Sequence, residues 1–118
     1  MKFSVLLFGL SKVLLVASLV NKPFKKHIKN SNIRLLIKTR DNSTGRLFLF
    51  NRGRVSSVSG AHHPFDVALV FKNPGTGFSV LADRRKDAVF SAAARGDMHL
   101  EGMSVWAMWF EEATKLII

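Results

Sequence analysis

The chain changes its hydrophobic period more than once. From Phe3 to Val20 nearly every position is apolar, and the polar exceptions Ser4, Ser11 and Ser18 recur every seven residues with Lys12 beside them. Seven residues return to the same side of a helix, so this run predicts a helix with one serine line and a broad apolar surface that must be covered. Pro23 and Asn30-Ser31-Asn32 predict the end of this helical region. Beyond it the pattern becomes alternating. Ile33, Leu35, Ile37 and Thr39 fall on one side of a predicted strand, and Arg34, Leu36, Lys38 and Arg40 on the other.

Turn residues 41–45 lead to a second strand over 46–51, with Phe48 and Phe50 on one side and Leu47 and Leu49 on the other, so both of its faces are expected to be covered. Arg52-Gly53 connects it to a short third strand over 55–59, and together the three read as an antiparallel meander. Residues 66–72 (DVALVFK) are almost continuously apolar, which predicts a strand in the interior of the sheet. Asn73-Pro74 reads as a helix start, with two short helical segments over 78–82 and 87–94. Gly96 and Gly102 bound a fifth strand, and residues 103–118 predict a last helix. On that helix Trp106, Trp109, Phe110 and Ala113 share one face at i, i+3, i+4 and i+7. They read either as a packed core face or, with Met103, as the wall of a cavity.

Three readings compete for the N-terminal run. A membrane-spanning helix needs about 20 apolar residues, and Lys12 in the middle of this one makes spanning costly. A secretory signal would fit Lys2 and the apolar stretch, but Ser-Leu-Val after Ala17 offers no small-x-small cleavage site. The favoured reading is a helix buried on its own domain, on a second copy, or in a membrane interface.

Composition narrows the classes. A chain of 118 residues with 47% hydrophobic content suits one globular domain and excludes wholesale disorder. Without cysteine there are no disulfides, thiolate metal sites or thiol nucleophiles. The net charge of +10 belongs to the first half, where twelve Lys or Arg in residues 1–60 face only Asp41. Such a field attracts anionic membrane or nucleic acid. Lys22, Lys25, Lys26 and Lys29 are the expected membrane contacts. Nucleic-acid binding is the rival class, because ten Lys or Arg between residues 22 and 54 are interleaved with Phe48 and Phe50, which could stack bases from a basic sheet face.

Signs of catalysis are sparse. His62 and His63 are adjacent and point apart in an extended loop, and His27 and His99 are remote in sequence, so neither a metal site nor a cofactor is expected. No nucleophile elbow, phosphate-binding loop or dinucleotide fingerprint occurs. The expectation is a non-catalytic protein.

The order of elements over residues 33–118 resembles the sterol carrier protein 2 domain. The resemblance rests on the hairpin over 45–59, the strand Asp66-Val67-Ala68-Leu69-Val70-Phe71, and Phe78 and Leu81 after it. Above all it rests on Gly96-Asp97-Met98-His99-Leu100-Glu101-Gly102 leading into Trp106-Ala107-Met108-Trp109. It implies an α+β fold, a five-stranded mainly antiparallel sheet covered on one face by helices, here with an additional apolar N-terminal helix. Residues 1–30 form an apolar and basic extension, and residues 31–118 the domain itself. The resemblance further implies a tunnel for a fatty acyl, sterol or isoprenoid quinone type of molecule, walled by Val67, Leu69, Phe71, Phe78, Leu81, Phe90, Met98, Leu100, Trp106, Trp109 and Phe110. The expected partners are such a lipid, an anionic membrane surface and a second copy through the N-terminal helix, and the expected location is cytoplasmic, peripheral to the membrane.

Overall fold

The computed structural model describes residues 2–77 and 94–115. Two helices, α1 (Lys2–Val20) and α2 (Lys22–Ile28), precede strands β1 (Asn32–Thr39), β2 (Gly45–Asn51), β3 (Arg54–Ser59), β4 (Val67–Phe71) and β5 (Met98–Gly102), and helix α3 (Ser104–Lys115) follows. The strands form one sheet in the order β3-β2-β1-β4-β5. Every neighbouring pair is antiparallel except β1 and β4, which run parallel. The fold is α+β, with a mixed, mostly antiparallel sheet.

Alternation assigns the strand side chains to two faces. Ile33, Leu35, Ile37, Phe48, Phe50, Val55, Val67, Leu69, Phe71 and Met98 share the helix-covered face and are buried in one core with Phe3, Leu7, Leu14, Phe24, Ile28 and Phe110. Leu36, Leu47, Ala68 and Val70 form a smaller buried cluster on the other face, joined by half-buried Leu49 and Phe65. That second cluster explains why β2 is apolar on both sides and why β4 is buried at every position.

The β3 to β4 connection is a short loop rather than a helix. It is anchored where Gly60 N–H donates to the Gly45 carbonyl and where Asp66 N–H donates to the Arg34 carbonyl. Phe65 packs from it onto the second cluster. Ala61 approaches so closely that a Cβ on Gly45 would lie 2.8 Å from its Cα, which accounts for a residue without a side chain there.

The helical start differs from expectation at one point. The break falls at Asn21, whose Oδ1 accepts the Phe24 N–H at 3.0 Å and caps α2. Pro23 then lies in the first turn of α2, where its missing N–H costs no intrahelical bond, so it helps begin a helix rather than end one. Similarly, Asn73 Oδ1 accepts the Thr76 N–H at 2.8 Å over the helical turn at 74–77. The helical segments expected over 78–82 and 87–94 lie outside the described residues except for Ala94.

Helix α1 lies on the sheet with Phe3, Leu7, Leu14 and Ala17 turned inward beside two of its line serines, while Ser4 is exposed. Ser11 and Ser18 are buried, and each hydroxyl donates to the carbonyl three residues earlier, at 2.6 Å to Phe8 and to Leu15. Burial is tolerable because these hydroxyls are satisfied within their own helix. Phe3 meets the Phe71 ring edge-on with centroids 5.8 Å apart. The opposite side of α1 is apolar and open: Val5, Leu19 and Val20 are 69%, 67% and 72% exposed.

Candidate functional site

The expected wall residues on the sheet fall together. Val67, Leu69 and Phe71 project from β4 onto the helix-covered face, and β5 places Leu100 opposite Leu69 and Met98 opposite Phe71. All are buried except Leu100, which is half-buried. Two adjacent strands therefore present a continuous apolar patch without a titratable side chain among these five residues. Phe78, Leu81 and Phe90 lie outside the described residues.

Helix α3 covers the same face, with Ala107, Phe110 and Ala113 as its buried stripe. The small side chains at 107 and 113 bring the helix close to the sheet, while Trp106 and Trp109 flank the stripe half-buried. Trp109 meets Phe50 edge-on at 5.0 Å, and Phe110 packs against Phe48 and Phe50 at 6.4 and 6.1 Å. These contacts place Trp109 and Phe110 against β2, at a filled part of the core. Met103, Val105 and Met108 are exposed, so Met103 stands outside the grouping expected for it.

His27 completes this end of the structure. Its ring stacks on Trp109 with centroids 5.1 Å apart and planes 22° from parallel, and its Nε2–H donates to the Trp109 carbonyl at 3.1 Å. The two residues are 82 positions apart, so no local pattern announces the pair.

Of the four expected membrane contacts, all are exposed on α2 or at its C-cap. At about 100° per residue, Lys22, Lys25, Lys26 and Lys29 occupy one face of the helix, opposite buried Phe24 and Ile28. Lys25 Nζ also reaches the Leu19 carbonyl at 3.5 Å, at the C-terminal end of α1.

The nearby acids are engaged locally. The Asp41 carboxylate accepts the Ser43 N–H at 3.0 Å and the Thr39 hydroxyl at 2.7 Å, which lowers its pKa from 3.8 to about 2. At Asp66, burial pushes the pKa up. The Arg34 N–H at 2.8 Å and guanidinium at 3.3 Å outweigh this and hold it below the usual value.

Other chemistry is dispersed among the described residues. His63 Nε2–H donates to the Ser59 carbonyl, His99 pairs with Glu101, and no three His, Asp or Glu side chains converge to hold a metal ion. Phe48 and Phe50 are buried beneath the helices, on the opposite side of the sheet from Arg34 and Lys38, and Arg40 lies in the turn beyond β1. The basic face therefore lacks the interleaved phenylalanines on which base stacking was expected to depend.

No protein-family profile matches the sequence, and no curated protein does. Solved structures do match. A structure described as a UbiJ-SCP2 ubiquinone synthesis protein is similar over 96% of this chain and 91% of its own, with a TM-score of 0.72 and 15% identity. A sterol carrier protein 2 structure covers 91% and 89% of the two chains, with a TM-score of 0.65 and 14% identity. Sterol carrier protein 2 from Yarrowia lipolytica, in its apo form, covers 92% and 88%, with a TM-score of 0.63 and 13% identity. The first likeness extends into residues 1–29, which the sequence resemblance did not reach. In fold, the chain is a sterol carrier protein 2-like domain.

Proposed function

We propose that this protein binds an apolar, lipid-like molecule between its sheet and helices and carries or presents it without chemical change. The supporting observation is the patch of Val67, Leu69, Phe71, Met98 and Leu100, beneath the face that α3 covers with half-buried Trp106 beside its buried stripe. Such a surface binds by desolvation, at about 0.8 kcal/mol per buried CH₂, and needs no dedicated polar motif. The likeness to sterol carriers and to a ubiquinone synthesis protein favours a fatty acyl chain, a sterol or hopanoid, or an isoprenoid quinone.

The molecule is taken up or delivered at an anionic membrane surface, with Lys22, Lys25, Lys26 and Lys29 meeting the headgroups. This reading makes the protein a cytoplasmic accessory factor peripheral to the membrane.

The chain has two tryptophans and no tyrosine, so its ultraviolet emission reports on Trp106 and Trp109. Titration of delipidated protein with acyl and isoprenoid probes is expected to quench that emission saturably. A linear, non-saturating response to every probe would sink the proposal.

A further inference from the structure

Strand register divides the helix-covered face of the sheet into rows. Phe48 is opposite Leu35, Leu35 is opposite Val67, and Val67 is opposite Gly102, so these four share one row. Helix α3 lies over it, because it begins at Ser104, just beyond Gly102, and packs Phe110 on Phe48. The next row carries Leu69 and Leu100, and the row after that Phe71 and Met98. The apolar patch of β4 and β5 therefore has α3 at its Val67 end. At about 3.3 Å per residue, its Phe71 end lies about 13 Å away.

That far end is closed from α1. Phe3 is buried, and its ring meets the Phe71 ring edge-on at 5.8 Å. Gly77 abuts the tip of the same ring: a Cβ there would lie 2.7, 2.8 and 3.0 Å from Cζ, Cε1 and Cε2 of Phe3. Gly77 is itself held, since its N–H donates to the Asn73 carbonyl at 3.0 Å in a turn where the Asn73 side chain accepts the Thr76 N–H. The ring is thus set between a strand and a braced turn, with no room for a side chain between ring and turn.

We propose that Phe3 is the end stop of the binding site: a linear apolar chain with one end under α3 runs past Leu69 and Leu100 and meets the Phe3 ring, which limits the length that is buried. The inference rests on the proposed function and adds selectivity for chain length within the lipid class named there. Affinity for a linear chain rises about fourfold with each further CH₂ that is buried, and stops rising once the next one finds no apolar cover. The length at which the rise ends is the signature of the stop.

Isothermal titration of the delipidated full chain with saturated fatty acids from octanoate to palmitate, in two-carbon steps, locates that length. Phe3→Ala should move it to longer chains by at least one step. Phe3→Leu keeps an apolar side chain against Phe71, disturbs folding less, and should move it in the same direction. Leu14→Ala is the control: it removes another buried side chain of α1, about 16 Å along the helix from Phe3. It should lower the thermal melt and leave the length unchanged.

A rise that ends at the same length in wild type and in both Phe3 variants would overturn the proposal. So would an equal shift in Leu14→Ala, because loosening α1 anywhere would then lengthen the site. The two readings fail differently: no saturable binding by wild type at any length contradicts the ligand reading itself, whereas binding whose length limit ignores Phe3 contradicts the end stop alone.

Discussion

His27 and Trp109 lie nearly face to face, 5.1 Å between ring centroids, and the same histidine donates to the Trp109 carbonyl at 3.1 Å. One side chain thereby ties α2, which carries the exposed lysines, to α3, which covers the apolar patch.

If that tie stabilises the junction, His27→Ala loses an aromatic contact and a hydrogen bond, for about 1–3 kcal/mol in total. His27→Phe keeps the ring contact and should fall between wild type and the alanine variant. Guanidinium unfolding followed by circular dichroism measures both. Equal midpoints for all three proteins would show that the stack contributes nothing.

Gly102 marks the passage from β5 to α3 and has a φ of +86°. A Cβ there would strike the Asp66 carbonyl oxygen, and backbone cannot yield as a flexible side chain can. Gly102→Ala should cost about 3 kcal/mol, at the upper end of ordinary overpacking, because it adds a steric clash to left-handed strain. Thermal denaturation decides this: an unshifted melt contradicts the geometry. Gly96→Ala, with φ +81° but open space around its Cβ position, should lose less.

Asp41 links stability to acid pH. Its folded pKa, about 2, lies below its ordinary value of 3.8, so the stabilisation is fully present above about pH 5 and is lost as pH falls towards 2. Asp41→Asn removes this titration. The stability difference between wild type and variant should therefore narrow from pH 5 to pH 2 in urea unfolding. A difference independent of pH would mean that the Ser43 and Thr39 bonds do not favour the charged form.

Much of the fold was legible because each strand has chemically distinct sides. Ile33-Arg34-Leu35 and the residues after it alternate, and the observed faces follow that alternation. The apolar run of β4 marked an interior strand. The glycines around β5 also carried structural information, since both adopt positive φ at the ends of the strand. The parallel pairing of β1 with β4 was not legible, because a parallel crossover usually announces itself by a helix and here a short loop provides it. The serine spacing on α1 did not give a direction: Ser11 and Ser18 are buried because their hydroxyls are bonded within their own helix, while Ser4 is exposed.

The candidate site was legible in the same uneven way. The wall residues on β4 and β5 were grouped through the family resemblance, and strand alternation does place them on one face. Residues on α3 were harder, since Trp106, Trp109 and Phe110 share a helical face while Ala107 and Ala113 determine which line sits deepest. The pairing of Trp109 with His27 depends on tertiary contact across 82 positions and left no trace in local periodicity.

The central claim concerns an apolar molecule between sheet and helices, and native mass spectrometry of the purified protein before and after organic extraction tests it most directly. A bound species that adds discrete mass, disappears on extraction, and returns when acyl or isoprenoid lipid is added back is the expected result. A chain that has only its own mass when gently purified, and still has only that mass after incubation with each lipid class, would contradict it.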